Sequence, residues 1–433
     1  MTPVQIGIWG CVVMLLLLAC SMPVAVAMMV TGVVGYALLA SWPAALSVLS
    51  AELYGTFANY NLTVIPLFVL MGQVAFHAGI SGRLFAAANS WMSALRGGLA
   101  MATVGACAAF SAVCGSGPAT AATMAAVALP EMKKHNYDHA LASGTVAAGG
   151  SLGLLIPPSV VFIVYGILTE QSIGKLFIAG IVPGLLIALL FCVMIYIKCW
   201  LNPSLAPPAV RVSWGVRFKS LLGVIETLLL FAFVMGGMFA GWFTPTEAAA
   251  MGALGSIAIA AMGGNCSRGM LWRAAQETVR TSCMVLAIVA GATIFGSFLA
   301  VTQMPTQFAT WLTNLPFPPI AIISLIVFFF FFTGLFIDSL ALILLTVPIF
   351  YPVVRQLGFD PIWFGVIIVV MTQVGVITPP VGVNVYVVSG IDRSIPLQTV
   401  FRGAMPFLIV LFVVCALLMV FPQLATWLPN VAK

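Results

Sequence analysis

The sequence predicts an all-α polytopic membrane protein built from two inverted repeats, each with a re-entrant hairpin and a proline-broken transmembrane helix. Three observations carry that expectation. Charge is nearly absent, the few basic residues segregate to one side of the predicted bilayer, and a set of residues recurs at a single spacing of 222.

Of 433 residues, 62% are hydrophobic and 6% charged. Soluble domains carry roughly a quarter charged residues because their surface faces water; most of this surface must face lipid. At about 20 residues per crossing the chain suffices for about ten to twelve spans. No Lys or Arg precedes the apolar run that begins at Val4, and a cleaved signal peptide begins with positive charge, so the first segment reads as a retained helix. The nine cysteines are scattered through apolar runs without CxxC spacing, which argues for small buried hydrophobes over a disulfide framework or a metal site. The net charge of +6 comes without a basic cluster interleaved with aromatics, so nucleic acid is not an expected partner.

Hydropathy broken at polar and Pro/Gly clusters places spans near 4–21, 23–40, 62–80, 140–168, 175–200, 221–241, 245–262, 281–301, 361–391 and 395–422. Two further apolar stretches, 99–130 and 319–352, are interrupted by GSGP and GLFIDS and read as hairpins that enter and leave on one side. With both re-entrant, 13 of the 16 basic residues, Arg211 among them, share one face; Lys175, Arg355 and Lys433 fall opposite. Excess Lys and Arg mark the cytoplasmic side, which puts both termini outside. Segments 43–58 and 266–280 read as interfacial arm helices, and Trp42, Trp242 and Trp363 as members of an interfacial aromatic belt. The Phe328–Phe332 run reads as packing surface. The Pro-bearing linker Leu201–Ser220 divides the chain into a first repeat, 1–210, and a second, 211–433.

At the 222-residue offset Pro130 meets Pro352, Asp138 meets Asp360, Gly153 meets Gly375, Pro157-Pro158 meets Pro379-Pro380, and Ser172-Ile173 meets Ser394-Ile395. Hydrophobic segments interrupted at corresponding places in two halves point to the binding site of a secondary transporter. Proline removes a donor and clashes with the preceding turn, so 140–168 and 361–391 must unwind within the membrane. The freed carbonyls suit a hard cation such as Na⁺, helped by Ser151, Thr378 and Asn384. The half-helices that follow present positive N-termini suited to a carboxylate. The hairpin tips form the facing wall through Ser116 and Thr120 in one, and Gly334, Asp338 and Ser339 in the other. Asp338 is an acidic residue in an apolar region, where charge is costly and usually functional; it can also cap the second half of its hairpin.

Thr244-Pro245-Thr246-Glu247 reads as a turn and capping box, and His77, His135 and His139 as polar rings near span ends. Gly149-Gly150-Ser151-Leu152-Gly153 matches the hydrolase pattern GxSxG, but no histidine follows His139 to serve as base. An enzyme is therefore not expected. A structural or accessory membrane subunit would leave the duplicated helix breaks unexplained.

The runs GSGPATAATMAAVALPEM, GGSLGLLIPPSVVFIVYG, SIGKLFIAGIVPGLL, FTPTEAAAMGA and GVITPPVGVNVYV resemble the large membrane subunit of tripartite ATP-independent periplasmic (TRAP) transporters, and the likeness extends from about Pro66 to Pro406. The resemblance implies an elevator-type symporter of the bacterial inner membrane that moves an organic acid inward with Na⁺ as coupling ion and without a cofactor. Its implied partners are a small four-helix membrane subunit, expected as a separate chain, and a periplasmic binding protein. The implied cation sites are Ser116 with carbonyls around Gly153 and Ile156, and Gly375, Thr378 and carbonyls near Gly334, with Asp338 a further cation ligand. Substrate is implied near Thr120, Ser159, Asp338, Ser339 and Asn384. A partner-independent anion/Na⁺ symporter of the same superfamily is the alternative.

Overall fold

The computed structural model describes residues 2–208 and 212–431, so Arg211, Lys433 and the boundary between the two predicted repeats lie outside the described residues. The first half runs α1 (Pro3–Ala19), α2 (Val24–Leu39), α3 (Trp42–Phe57), α4 (Val64–His77), α5 (Ile80–Met92), α6 (Gly98–Cys114), α7 (Gly117–Lys134), α8 (His139–Ser151), α9 (Val160–Thr169) and α10 (Ile173–Leu201). The second runs α11 (Trp214–Leu222), α12 (Ile225–Phe239), α13 (Pro245–Met262), α14 (Arg268–Thr302), α15 (Met304–Thr313), α16 (Pro319–Gly334), α17 (Ser339–Gln356), α18 (Pro361–Ile377), α19 (Val383–Ile391), α20 (Leu397–Val420) and α21 (Gln423–Val431). Among the described residues there is no strand. The protein is an all-α, multi-pass membrane protein. Six helical segments are long and apolar enough to cross a bilayer, and a seventh forms if α11 and α12, bent by 52°, make one span. Many of their outward side chains are apolar, including Leu185, Leu189, Leu229 and Ile409, as lipid contact requires.

Local chemistry sets the boundaries. The Asp138 carboxylate accepts from Leu141 N (2.9 Å) at the start of α8, and Asp360 accepts from Ile362 N (2.7 Å) and Trp363 N (3.1 Å) at the start of α18. Each satisfies donors that a first helical turn leaves free. The same logic holds at α13, where Thr244 and Glu247 form a reciprocal capping box. Pro157-Pro158 lies between α8 and α9, and Pro379-Pro380 between α18 and α19; both Pro-Pro bonds are cis.

Packing brings the halves together in pairs. The second hairpin helix of each half meets the second half-helix of the other: α7 packs on α19, and α17 on α9. Likewise α8 packs on α20 and α18 on α10. Lys133 at the end of α7 pairs with Asp392 in the turn between α19 and α20, and Ser394 completes that knot by donating to Asp392 Oδ1 (2.7 Å). Burial by itself would raise the Asp392 carboxyl pKa, but bonds from Lys133 and Ser394 outweigh it and the net shift is downward.

Four features differ from the sequence expectations. Segment 266–280 is not a separate arm helix: it continues without interruption into the following span as α14, whereas α3 ends at Phe57 and the chain breaks at 58–59 before a 3-10 turn, Tyr60–Thr63, leads into α4. No Gly or Pro lies between Gly269 and Gly291 to end the helix. Trp363 does not join an aromatic belt; it is buried, and its indole donates to Leu418 O at 2.7 Å. Trp42 and Trp242 are exposed. The linker 201–220 is partly helical, because α11 begins at Trp214 and stacks Trp214 on Phe218. Within the Phe328–Phe332 run Phe330 is buried against Phe350 and Phe364, while Phe328, Phe329 and Phe332 face outward.

Candidate functional site: two helix breaks and two hairpin tips around one cavity

The first hairpin turns in two residues. Gly115 takes φ +66°, open to glycine at little cost, and Ser116 is the N-cap of α7 without a side-chain bond to the helix. The turn is pressed onto the first helix break: a Cβ on Gly153 would stand 2.7 Å from the Ser116 carbonyl oxygen and 2.9 Å from Thr120 Oγ1. Only glycine lets these oxygens come so close. The Thr120 hydroxyl is fully buried and has no hydrogen-bond partner, an expensive state for a polar atom unless something else binds it.

The second tip repeats the arrangement with different detail. A Cβ on Gly375 would stand 2.2 Å from the Gly334 carbonyl oxygen, and Val381 N donates to Leu335 O at 3.3 Å. The Thr378 hydroxyl donates to Val374 O at 2.5 Å, which spends its proton and leaves oxygen lone pairs. This turn spans four residues, 335–338, and ends with Asp338 as N-cap of α17, its Oδ2 accepting from Leu340 N at 3.1 Å.

The tips and breaks meet at a cavity of about 800 Å³. Ser116, Pro118 and Ala119 line it from the first tip, and Asp338, Ser339 and Leu340 from the second. Leu154, Val160, Val376 and Val383 contribute from the breaks. The opposite wall is built by α2, α4 and α14 and carries Gln73 and Thr281. Asp338 is exposed to this space, Ser339 Oγ is buried and unpartnered, and no Lys, Arg or His occurs among the described lining residues.

The sequence-predicted residues are thus gathered unequally. Ser116 with Gly153, and Gly334 with Gly375 and Thr378, form two oxygen-rich contacts at the breaks. Asp338 and Ser339 face the cavity. Thr120, expected near substrate, sits in the buried Ser116–Gly153 contact and outside the cavity wall. The Ser159 hydroxyl is engaged as the N-cap of α9, donating to Leu154 O at 2.6 Å. Asn384 is buried and donates to Ala147 O at 3.0 Å, with Oδ1 unpartnered. The Ile156 side chain packs against Gly184, on the far side of the break from the cavity.

Gln73, Thr281 and Gln373 were not singled out from the sequence. The first two stand on helices whose facing side is fixed only by tertiary packing. Gln373 carried a readable signal, a primary amide in the apolar run Ile367–Ile377. It is fully buried, and its Oε1 lies 3.3 Å from Ser151 Oγ, the residue 222 positions earlier. Ser151 Oγ also donates to Ala148 O at 2.7 Å, and no histidine among the described residues hydrogen-bonds to it.

Membrane helices interrupted opposite hairpin tips around an internal cavity are the arrangement expected of a secondary transporter. The chain matches the family described as "Tripartite ATP-independent periplasmic transporter, DctM component" over residues 11–424. It belongs to that family, the large membrane subunit of TRAP transporters. It is similar to the C4-dicarboxylate TRAP transporter large permease protein DctM of Pseudomonas aeruginosa, at 38% identity over 88% of this chain and 89% of that protein. The sialic acid TRAP transporter large permease protein SiaM of Vibrio cholerae is 37% identical over 88% of each chain. The ectoine/5-hydroxyectoine permease protein UehC of Ruegeria pomeroyi is 30% identical over 97% of each. Among solved structures, the Alcanivorax borkumensis YdaH transporter shares the fold with a TM-score of 0.65, 17% identity and 98% coverage of both chains.

Proposed function

We propose that the chain carries out Na⁺-coupled uptake of an organic acid across the bacterial inner membrane, receiving its cargo from a periplasmic binding protein. The observation that carries this reading is the pairing of each helix break with a hairpin tip over one cavity, in a chain of the TRAP large-subunit family. The halves act as inverted repeats, with boundary near 210. Helix boundaries support this: at the 222 offset α7 corresponds to α17, α8 begins with α18, and the short helices α5 and α15 also coincide.

Two cations are held where tip meets break. The first set is the Ser116 carbonyl, the Thr120 hydroxyl and carbonyls around Gly153 and Ile156. The second is the Gly334 and Gly375 carbonyls with Thr378. The residues fit a hard cation, which takes several oxygen ligands: the glycines leave the carbonyls unobstructed, and the Thr120 oxygen has no other partner. A cation bound at either contact would tie a tip to its break, so cation occupancy and cavity shape are coupled. The cargo carboxylate then meets positive helix N-termini in a mostly apolar space. Because α7 packs on α19 and α17 on α9, the two hairpins and two broken helices move as one elevator body against α2, α4 and α14. A separate small membrane subunit completes the transporter, and both termini lie in the periplasm.

The test is uptake into proteoliposomes holding the chain, its small subunit and its binding protein. Accumulation should require an inward Na⁺ gradient and the binding protein. Accumulation by the chain alone would overturn the tripartite reading, and uptake indifferent to Na⁺ would overturn the coupling.

A further inference from the structure

A second cavity, of about 530 Å³, lies on the far side of the first helix break. Its walls are α6, α10 and the break at Ile156-Pro157, faced by α5 and α12. Among the described lining residues none is charged, and only Thr227 and Cys192 carry a hydroxyl or a thiol. It opens to the lipid-facing surface beside Leu185, Leu189 and Leu228, all exposed. A carboxylate would lose its hydration there for little return, whereas a hydrocarbon chain fits the lining.

One end of this groove is polar in a specific way. Met92 closes α5, and Thr227 and Leu228 lie in the first turn of α12, just past the 52° bend that joins it to α11. Trp91, next to Met92, meets Trp214 edge-on at 6.4 Å and Phe218 at 5.9 Å, both on α11. The Arg217 guanidinium carbon lies 4.8 Å from the centroid of the Trp214 ring. Trp91 Nε1 and Arg217 Nε are both buried, and neither has a hydrogen-bond partner. Arg83 nearby is matched by Glu226 at 3.5 Å, but no carboxylate among the described residues pairs with Arg217, Arg96 or Lys219. Two free N–H donors and an uncompensated cation at the mouth of an apolar groove call for an anion. Helix α11 exposes Trp214, Val216, Phe218 and Leu222 beside these basic residues, the make-up of a helix lying in the headgroup layer.

We propose that this is a binding site for an anionic phospholipid. Its phosphate accepts from Trp91 Nε1 and the Arg217 guanidinium, Arg96 and Lys219 add positive field, and one acyl chain fills the groove down to Ile156-Pro157. A zwitterionic lipid brings its own cation to the same cluster and gains less from it.

The experiment uses the full chain, with and without its small subunit, purified in detergent. It is incubated with phosphatidylglycerol or phosphatidylcholine of identical acyl chains, and retained lipid is counted by native mass spectrometry. Phosphatidylglycerol should be held at least about fivefold more tightly. Arg217→Gln should bring it down to the level of phosphatidylcholine. Trp91→Phe keeps the ring contacts and loses only the N–H, so it should weaken phosphatidylglycerol less, and it tests the headgroup position even if Arg217→Gln melts early. Ala108→Phe, which plugs the groove, should weaken both lipids with Arg217 intact. Equal retention of the two lipids by the unmodified chain, or a preference that survives Arg217→Gln and Trp91→Phe, would overturn the headgroup site. Retention untouched by Ala108→Phe would overturn the placement of the acyl chain. Retention by the chain alone that vanishes when the small subunit is present would give the groove to that subunit and overturn the proposal.

Discussion

At Gly375 an added methyl group would stand 2.2 Å from the Gly334 carbonyl oxygen, and at Gly153 it would stand 2.7 Å from that of Ser116. Both obstacles are backbone, so the tip must retreat from the break. Gly375→Ala and Gly153→Ala should each weaken Na⁺-dependent transport strongly, at a stability cost of about 1–3 kcal/mol, and Gly375→Ala should be the more severe. Gly296→Ala in α14 meets nothing within 4 Å and should leave both uptake and melting temperature close to unchanged. Thr378 gives a finer test. Thr378→Val keeps the shape and removes the hydroxyl, so the half-saturating Na⁺ concentration should rise several-fold; Ile156→Val keeps its carbonyl and should change it little. If neither substitution alters the Na⁺ dependence of uptake, Thr378 is not a cation ligand. At this scale the sequence was informative where backbone chemistry decides. Gly153 and Gly375 stood out because they match at the 222 offset, each four residues ahead of a Pro-Pro pair. The inward engagement of Ser159 as a cap and the burial of Thr120 were not, because hydroxyl orientation depends on which carbonyl the folded chain brings within reach.

Among the elements, the breaks and tips were legible because proline, glycine and acidic caps act locally. The short helices α5 and α15 were missed because each is only partly apolar and too short to span, so hydropathy passes over it; their correspondence at the 222 offset was the available signal. The continuity of α14 follows from the lack of a helix breaker, a negative signal that the expectation of matching arm helices overrode. Among the contacts that tie elements across the halves is the Lys133–Asp392 pair between α7 and the α19–α20 turn. Lys133→Met should lower stability modestly, by about 1 kcal/mol or less since both side chains are partly exposed. The sign of the pH dependence is fixed by the depressed Asp392 pKa. Its contribution is present above the ordinary aspartate range and is lost as pH falls through the lower folded-state value. Melting measured across that range should show the unmodified chain losing more stability on acidification than Lys133→Met; equal losses would remove the pair from the account.

For the whole molecule, composition sufficed for the all-α membrane class, since a chain with 6% charge has too little polar surface to be soluble. The arrangement around the cavity was less accessible, because which faces of α2, α4 and α14 close it is decided by tertiary packing. Orientation is testable independently: single cysteines replacing Lys134 and Arg355 should be labelled from the cytoplasmic and periplasmic sides respectively. Labelling from one side alone would contradict inverted repeats. The central claim is that Na⁺ and cargo cross together on this chain, and simultaneous flux of both tests it most directly. In proteoliposomes containing the complete transporter, radiolabelled Na⁺ entry should appear only when cargo-loaded binding protein is added, in fixed ratio to cargo taken up, and Gly375→Ala should reduce both fluxes together. Cargo accumulation with no accompanying Na⁺ entry would contradict it.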